Sequence, residues 1–230
     1  MIRRIHVDWP DDRPFAERDA RTVRFLAVSD EEDPALEHAV NRDALGPIDG
    51  IIGCGDLEAT WLGFLSVAFA APLVYVRGNH DRGGAWKHES SVAPAALGSG
   101  QIDRLAGIAI AGLEWPGVDL PGNRRRPWLA WRQAISIVRR TFVGRLFGRG
   151  EPILVISHAP PEGAGDAATD PYHIGFDAYR WLLGRLRPPV WLHGHTTTAM
   201  VQELSVQAGS TTVVNVTGAV LLELSPKAAD

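Results

Sequence analysis

The 230-residue chain predicts an α/β fold, α+β in its layering, with helices packed on sheets. Short runs of β-branched, aliphatic and aromatic residues recur along it, each ending in glycine or a polar residue. Segments of helical spacing separate several of these runs, and such alternation favours parallel strands in a layered structure. With 45% hydrophobic residues the chain can build one sizeable core, so one domain is expected.

The runs follow in order. "TVRFLAVSD" (22–30) reads as a strand ending in Asp30, and "DGIIGCGD" (49–56) as one ending in Gly55-Asp56. "PLVYVRGNHD" (72–81) ends in Gly78-Asn79-His80-Asp81. "GIAIAGLEW" (107–115) comes next, then "PILVISHAPP" (152–161) with His158 and "PVWLHGHT" (189–196) with His193-Gly194-His195. "TTVVNVTGAVLLEL" (211–224) is one or two strands, with Gly218 as a turn or bulge. Helices are expected at 33–46, 58–70, 127–147 and 174–187; Asp33 and Pro34 form a natural start for the first. No helix separates the last strands, which predicts antiparallel pairing there. Residues 1–21 are an N-terminal extension, a short edge strand ("IRRIHVDW") or a tail, ahead of a domain at 22–230.

Composition excludes several classes. A net charge of -4 leaves no overall nucleic-acid footprint. The single cysteine, Cys54, rules out an internal disulfide framework and fits a reducing compartment. The N-terminus lacks the apolar core of a signal peptide. The most apolar segment, "ATWLGFLSVAFAAPLVYV", is interrupted by Pro72 and reads as a helix followed by a strand. A cytoplasmic protein is the expectation.

Asp30, Asp56, Asn79, His158 and His195 each lie at the end of a predicted strand. One such residue would mean little, because loops are polar. Five metal-binding residue types on successive strands point to the carboxyl edge of an α/β sheet, where ligands bind.

The ordered set of Asp30, "GD" at 55–56, "GNHD" at 78–81, "SHAPP" at 157–161 and "HGH" at 193–195 resembles the calcineurin-like metallophosphoesterase superfamily. The resemblance implies a four-layer sandwich, two mixed β-sheets flanked by helices, with divalent metals at the sheet edge. It implies that Asp56 bridges two ions, that Asn79, His158 and His195 complete one site, and that Asp30 serves the other. His80 would face the leaving group, with Asp81 orienting its imidazole. The implied activity is hydrolysis of a phosphodiester or phosphomonoester by metal-activated water. A protonated imidazole at the leaving oxygen adds general acid catalysis. The implied partner is a phosphorylated small molecule.

Two positions depart from the family pattern. Where Asp-x-His is expected the chain reads Asp30-Glu31-Glu32, and where Gly-His-x-His is expected it reads Gly194-His195-Thr196-Thr197. Both missing histidines would serve the ion held by Asp30. Glu32 is a candidate replacement, and Asp30, Glu32 and Asp56 would make an oxygen-rich site suited to Mg²⁺ or Mn²⁺ more than Zn²⁺. One or two divalent ions (Mn²⁺, Mg²⁺, Fe or Zn²⁺) are therefore expected. The alternative is a weak or inactive one-metal protein that binds phosphate or a nucleotide.

His193 shares a strand face with His195 and lines the pocket or contacts substrate, while His173 is expected to fix the loop after His158. Cys54 reads as a small buried hydrophobe. Residues 123–150 hold Arg124, Arg125, Arg126, Arg132, Arg139, Arg140, Arg145 and Arg149. Trp128, Trp131, Ile135, Val138, Phe142 and Leu146 recur there at helical spacing. The favoured reading is a core-packed helix with a solvated arginine face. A sharper one is a rim, with Arg124, Arg125 and Arg126 drawing in a polyanionic or lipid-headgroup substrate.

Overall fold

Two sheets stacked face to face form the centre, one of five strands and one of six. The fold comes from a computed structural model, which describes residues 2–18, 21–81, 89–117, 125–146, 150–201 and 203–227. Chain order begins β1 (Arg3–Trp9), β2 (Val23–Ser29), α1 (Ala39–Leu45), β3 (Gly50–Gly53), α2 (Ala59–Ala68) and β4 (Leu73–Tyr75). It continues with α3 (Glu89–Val92), β5 (Gln101–Leu105), β6 (Ile108–Leu113), α4 (Pro127–Leu146), β7 (Ile153–Ser157) and α5 (Asp177–Leu186). It closes with β8 (Val190–His193), β9 (Ser205–Ala208), β10 (Thr211–Asn215) and β11 (Gly218–Pro226).

The first sheet has the order β1-β11-β2-β3-β4 and the second β5-β6-β7-β8-β10-β9. Both are mixed: β2, β3 and β4 run parallel, as do β6, β7, β8 and β10, while β11 opposes β2. Side chains alternate across each strand. Val23, Phe25 and Ala27 of β2 meet Leu154 and Ile156 of β7 between the sheets. Leu26 and Val28 face away, towards Leu36, Leu45, Trp61 and Leu65. On the far side Ala109, Ala111 and Val155 pack against Ala130, Ala134 and Ile137 of α4 and Tyr179 and Leu182 of α5. Helices, sheet, sheet, helices: the expected four layers are present. Strands covered on both faces explain why the runs are apolar throughout rather than alternating.

Several local expectations change. The helix at 33–46 is split. Asp33 caps a 3-10 turn at Pro34–Glu37 by accepting from the Ala35 N–H, and the extended backbone of His38 then interrupts it before α1. Residues 3–9 take the strand alternative and pair in parallel with β11 at the sheet edge, with Trp9 and Phe15 buried in the core. The last strands do not pair with one another. β10 belongs to the second sheet and β11 to the first; each finds its antiparallel partner elsewhere, in β9 and β2. Gly218, at φ 77°, begins β11 just after this crossing. Among the described residues no helix is long and apolar enough to cross a membrane.

Candidate metal centre

The carboxyl ends of β2, β3, β4, β7 and β8 deliver their side chains to one place. Asp30, Asp56 and His158 each offer a donor atom within 4.8 Å of the others. His158 Nε2 lies 2.7 Å from Asn79 Oδ1 and 3.3 Å from Asp56 Oδ2. Its Nδ1 lies 2.8 Å from the Cys54 carbonyl. A carbonyl only accepts, so Nδ1 carries a hydrogen and Nε2 is the nitrogen that faces the two oxygens. Nε2 and two oxygens converge on one spot, and positive charge there, a proton on Nε2 or a metal ion in its place, reconciles them. Burial pulls the His158 pKa down, yet the Asp56 charge and hydrogen bond, with Asp30 and the Cys54 carbonyl, raise it to about 9. Burial pushes Asp56 up, and His158 with the His80 N–H holds it below the usual carboxylate range. The donor set of imidazole nitrogen, amide oxygen and carboxylates suits a divalent metal ion.

His195 lies beside this cluster without joining its three close donors, its ring 5.0 Å from that of His158. Its backbone N–H donates to Asp30 Oδ2 at 2.9 Å. Its Nε2 donates to the Tyr172 carbonyl at 2.9 Å, which leaves Nδ1 as the bare nitrogen. Burial first, then the His158 and His173 charges, lower its pKa to about 3, so the ring is neutral and competent as a ligand. Trp115 walls both imidazoles, 4.8 Å from His195 and 6.0 Å from His158 between ring centroids.

The chain is bent hard to achieve this. Asp30, Asp56 and His195 have φ of 60°, 55° and 68°, left-handed values that cost a non-glycine residue about 1 kcal/mol or more each. The neighbouring glycines are required by close approach. A Cβ on Gly78 would strike the Asp56 carboxylate, and one on Gly194 would strike Ser29 Oγ and the Asp30 carboxylate. The glycines in "GNHD" and "HGH" are thus there for packing.

With this arrangement in view, the comparisons with known proteins are direct. The calcineurin-like phosphoesterase family model matches residues 41–198. The chain belongs to the calcineurin-like phosphoesterase family. At this superfamily level it groups with metal-dependent phosphoesterases. No curated protein is similar enough in sequence to count as a match. Among solved structures, one shares 15% identity at a TM-score of 0.62, covering 88% of this chain and 95% of its own. TT1561 of Thermus thermophilus shares 14% identity at 0.56, over 86% of this chain and 90% of that one. A dimetal phosphatase from Danio rerio shares 12% identity at 0.52, over 86% and 88%. These likenesses are of fold.

In this member of the family not every residue singled out from sequence reaches the centre. Asp81 does not orient the His80 ring. It is 4% exposed, and its Oδ2 accepts from the backbone N–H of Asp56 (2.6 Å) and Gly78 (2.8 Å), bracing two loops. Burial, aided by Asp56, raises its pKa to about 6. The His80 N–H donates to Asp56 Oδ1 at 2.7 Å, while its imidazole is 81% exposed with Nε2 3.9 Å from Asp56 Oδ2. Glu32 stays outside the cluster. It is exposed, and partial burial with the charges of Glu58 and Glu37 raises its pKa. His193 is fully buried, so it does not meet substrate; its Nδ1 donates to the Gly194 carbonyl, and burial lowers its pKa to about 4. Arg125 is committed elsewhere, donating to the Ile174 and Gly175 carbonyls and stacking 4.1 Å over Phe176. Arg126 is half-buried just before α4, and Arg124 lies outside the described residues.

Other groups were missed. The Cys54 and Tyr172 carbonyls set the histidine tautomers. Thr217 Oγ1 donates to Asp30 Oδ2 at 3.3 Å. Asn215 Nδ2 holds the Thr196 carbonyl and hydroxyl. Polar residues in "NVTG", straight after a strand of valines, were the available signal. His173 does more than fix its loop: paired to Asp170 at 2.7 Å, its ring lies 4.9 Å from His195. Cys54 is buried as expected, and burial pushes its thiol far up, so it is no nucleophile.

Proposed function

We propose that this protein hydrolyses a phosphodiester or small phosphomonoester, using a divalent ion held by Asp56, Asn79, His158 and His195. The convergence of His158 Nε2, Asn79 Oδ1 and Asp56 Oδ2 carries this reading. A divalent ion there supplies charge neutralisation for the phosphate and makes water a better nucleophile near neutral pH. The chain does the rest. Cys54 and Tyr172 carbonyls fix which nitrogen of each imidazole is left for the ion. Asp81 fixes the loops that carry Asp56 and Asn79. His80, exposed beside Asp56, is placed to give a proton to the leaving oxygen. Asp30 and Asp56 offer oxygens to a second, weaker ion, which suits Mn²⁺ or Mg²⁺.

A second reading, a one-ion binder of phosphorylated ligands, is favoured by one observation: Glu32 is exposed and outside the cluster, so among the described residues it does not replace the histidine absent at that position. The test is hydrolysis of p-nitrophenyl phosphodiester and monoester with Mn²⁺, Mg²⁺ or Zn²⁺, beside Asp56→Ala and His80→Ala. Metal-dependent turnover lost in both variants supports the hydrolase. Tight ion binding by calorimetry without turnover supports the one-ion binder. Neither binding nor turnover overturns both.

A further inference from the structure

Helix α4 carries one buried stripe and, opposite it, an exposed apolar one. Ala130, Gln133, Ala134 and Ile137 are buried against the second sheet and α5. Trp128, Ile135, Phe142, Val143 and Leu146 are 58%, 47%, 60%, 50% and 68% exposed. At the helical repeat these five fall on one arc, opposite the buried one. The bulky residues whose spacing suggested a core-packed face therefore mostly point outwards, and only Trp131 and Val138 at the margin pack partly against the core. A 20-residue helix makes this stripe about 30 Å long. Bulky apolar side chains exposed together along one face, even with arginines among them, mark a docking face.

Charge identifies the occupant. Exposed Arg132 and Arg139 lie within the stripe and Arg140 beside it, and the Arg132 guanidinium sits 5.4 Å from the Trp128 ring centroid. Residues 123–150 hold eight arginines and no acidic residue, in a chain of net charge -4. A second copy laying its own α4 on this stripe would oppose arginine to arginine, with no carboxylate on the helix to offset it. An anionic lipid surface matches both features at once. Arginine stems lie along apolar surface with their heads among phosphates, and tryptophan favours the interface.

We infer that α4 lies on anionic phospholipid membranes, burying the Trp128–Ile135–Phe142–Leu146 stripe with Arg132, Arg139 and Arg140 at headgroup level. This is independent of the metal centre. The test is co-sedimentation of the whole chain with phosphatidylcholine vesicles, with and without phosphatidylglycerol. Wild type is expected to sediment with the anionic vesicles and not the neutral ones. Phe142→Ser/Leu146→Ser and Arg132→Gln/Arg139→Gln are each expected to weaken binding roughly tenfold or more. Their thermal melts should match wild type, because the replaced side chains are exposed. No sedimentation with anionic vesicles, equal binding to both vesicles, or binding unaltered in the variants overturns the inference. So does a wild-type dimer that Phe142→Ser/Leu146→Ser makes monomeric, which would assign the stripe to contact between copies.

Discussion

The His158 half and the Asp30 half of the centre share Asp56 but are built differently. On the His158 side each imidazole has its second nitrogen anchored to a carbonyl, Cys54 for His158 and Tyr172 for His195. The carbonyls thus fix which nitrogen is left for an ion, bare on His195 and, on His158, carrying a proton that the ion must displace. On the Asp30 side, Oδ2 already accepts from the His195 N–H and the Thr217 hydroxyl, Glu32 is exposed, and residue 197 is threonine. Readiness to bind thus depends less on which ligand residues are present than on the backbone atoms that fix them.

Removing what the halves share should have the largest effect. Asp56→Ala is expected to lower turnover about 10⁴-fold or more in the steady state and to abolish tight ion binding. His80→Ala should lower kcat by about 10²- to 10³-fold while leaving calorimetric ion affinity in place, as expected of the proposed leaving-group acid. The halves separate in the next pair. His158→Ala should weaken the tight ion about 100-fold, whereas Glu32→Gln should change affinity less than about twofold; equal effects would break the contrast. Building Glu32→His with Thr197→His should sharpen it from the other side, giving two Zn²⁺ per chain by titration where wild type binds one tightly.

A further effect is on stability, away from the ion itself. His193 is held neutral, with burial lowering its pKa from 6.5 to about 4. As pH falls below 6.5 the unfolded chain takes up this proton first, so the folded state loses stability down to about pH 4. The loss from His193 is about 3 kcal/mol over that window. His195, lowered to about 3, steepens the same slope. Urea melts of metal-free protein at pH 7 and 4.5 should show a smaller drop for His193→Asn, whose amide can still donate to the Gly194 carbonyl.

The sequence showed most of the strands because buried β-branched runs are unmistakable, and it showed the ligands because they follow those runs directly. It concealed β5 and β9. Their residues, "QIDRL" and "SVQA", are largely exposed or half-buried, so no apolar run marks them. It also inverted α4. Alanines on both helix and sheet allow close packing, so the buried stripe is small-residued while the bulky side chains that dominate the periodicity lie outside. Asp81 was misread because its partners are backbone N–H groups. A carbonyl or an amide hydrogen has the same identity at every position, and only folding says which one sits beside a histidine.

The donors come from both sides of the sandwich: Asp30, Asp56 and Asn79 follow strands of the first sheet, His158 and His195 strands of the second. Along the seam between the sheets the rest of the core is apolar, aliphatic side chains with the rings of Trp9, Phe15 and Phe25, and the His158–Cys54 and His195–Asp30 hydrogen bonds tie the two sheets at the carboxyl edge. An ion gripped by Asp56 and His158 is then a rivet through that seam. Chelation becomes a mechanical operation as much as a chemical one. It would remove one tie between the two sheets at the carboxyl edge, and faster amide exchange at the ends of β3 and β7 is where that loosening would first be felt.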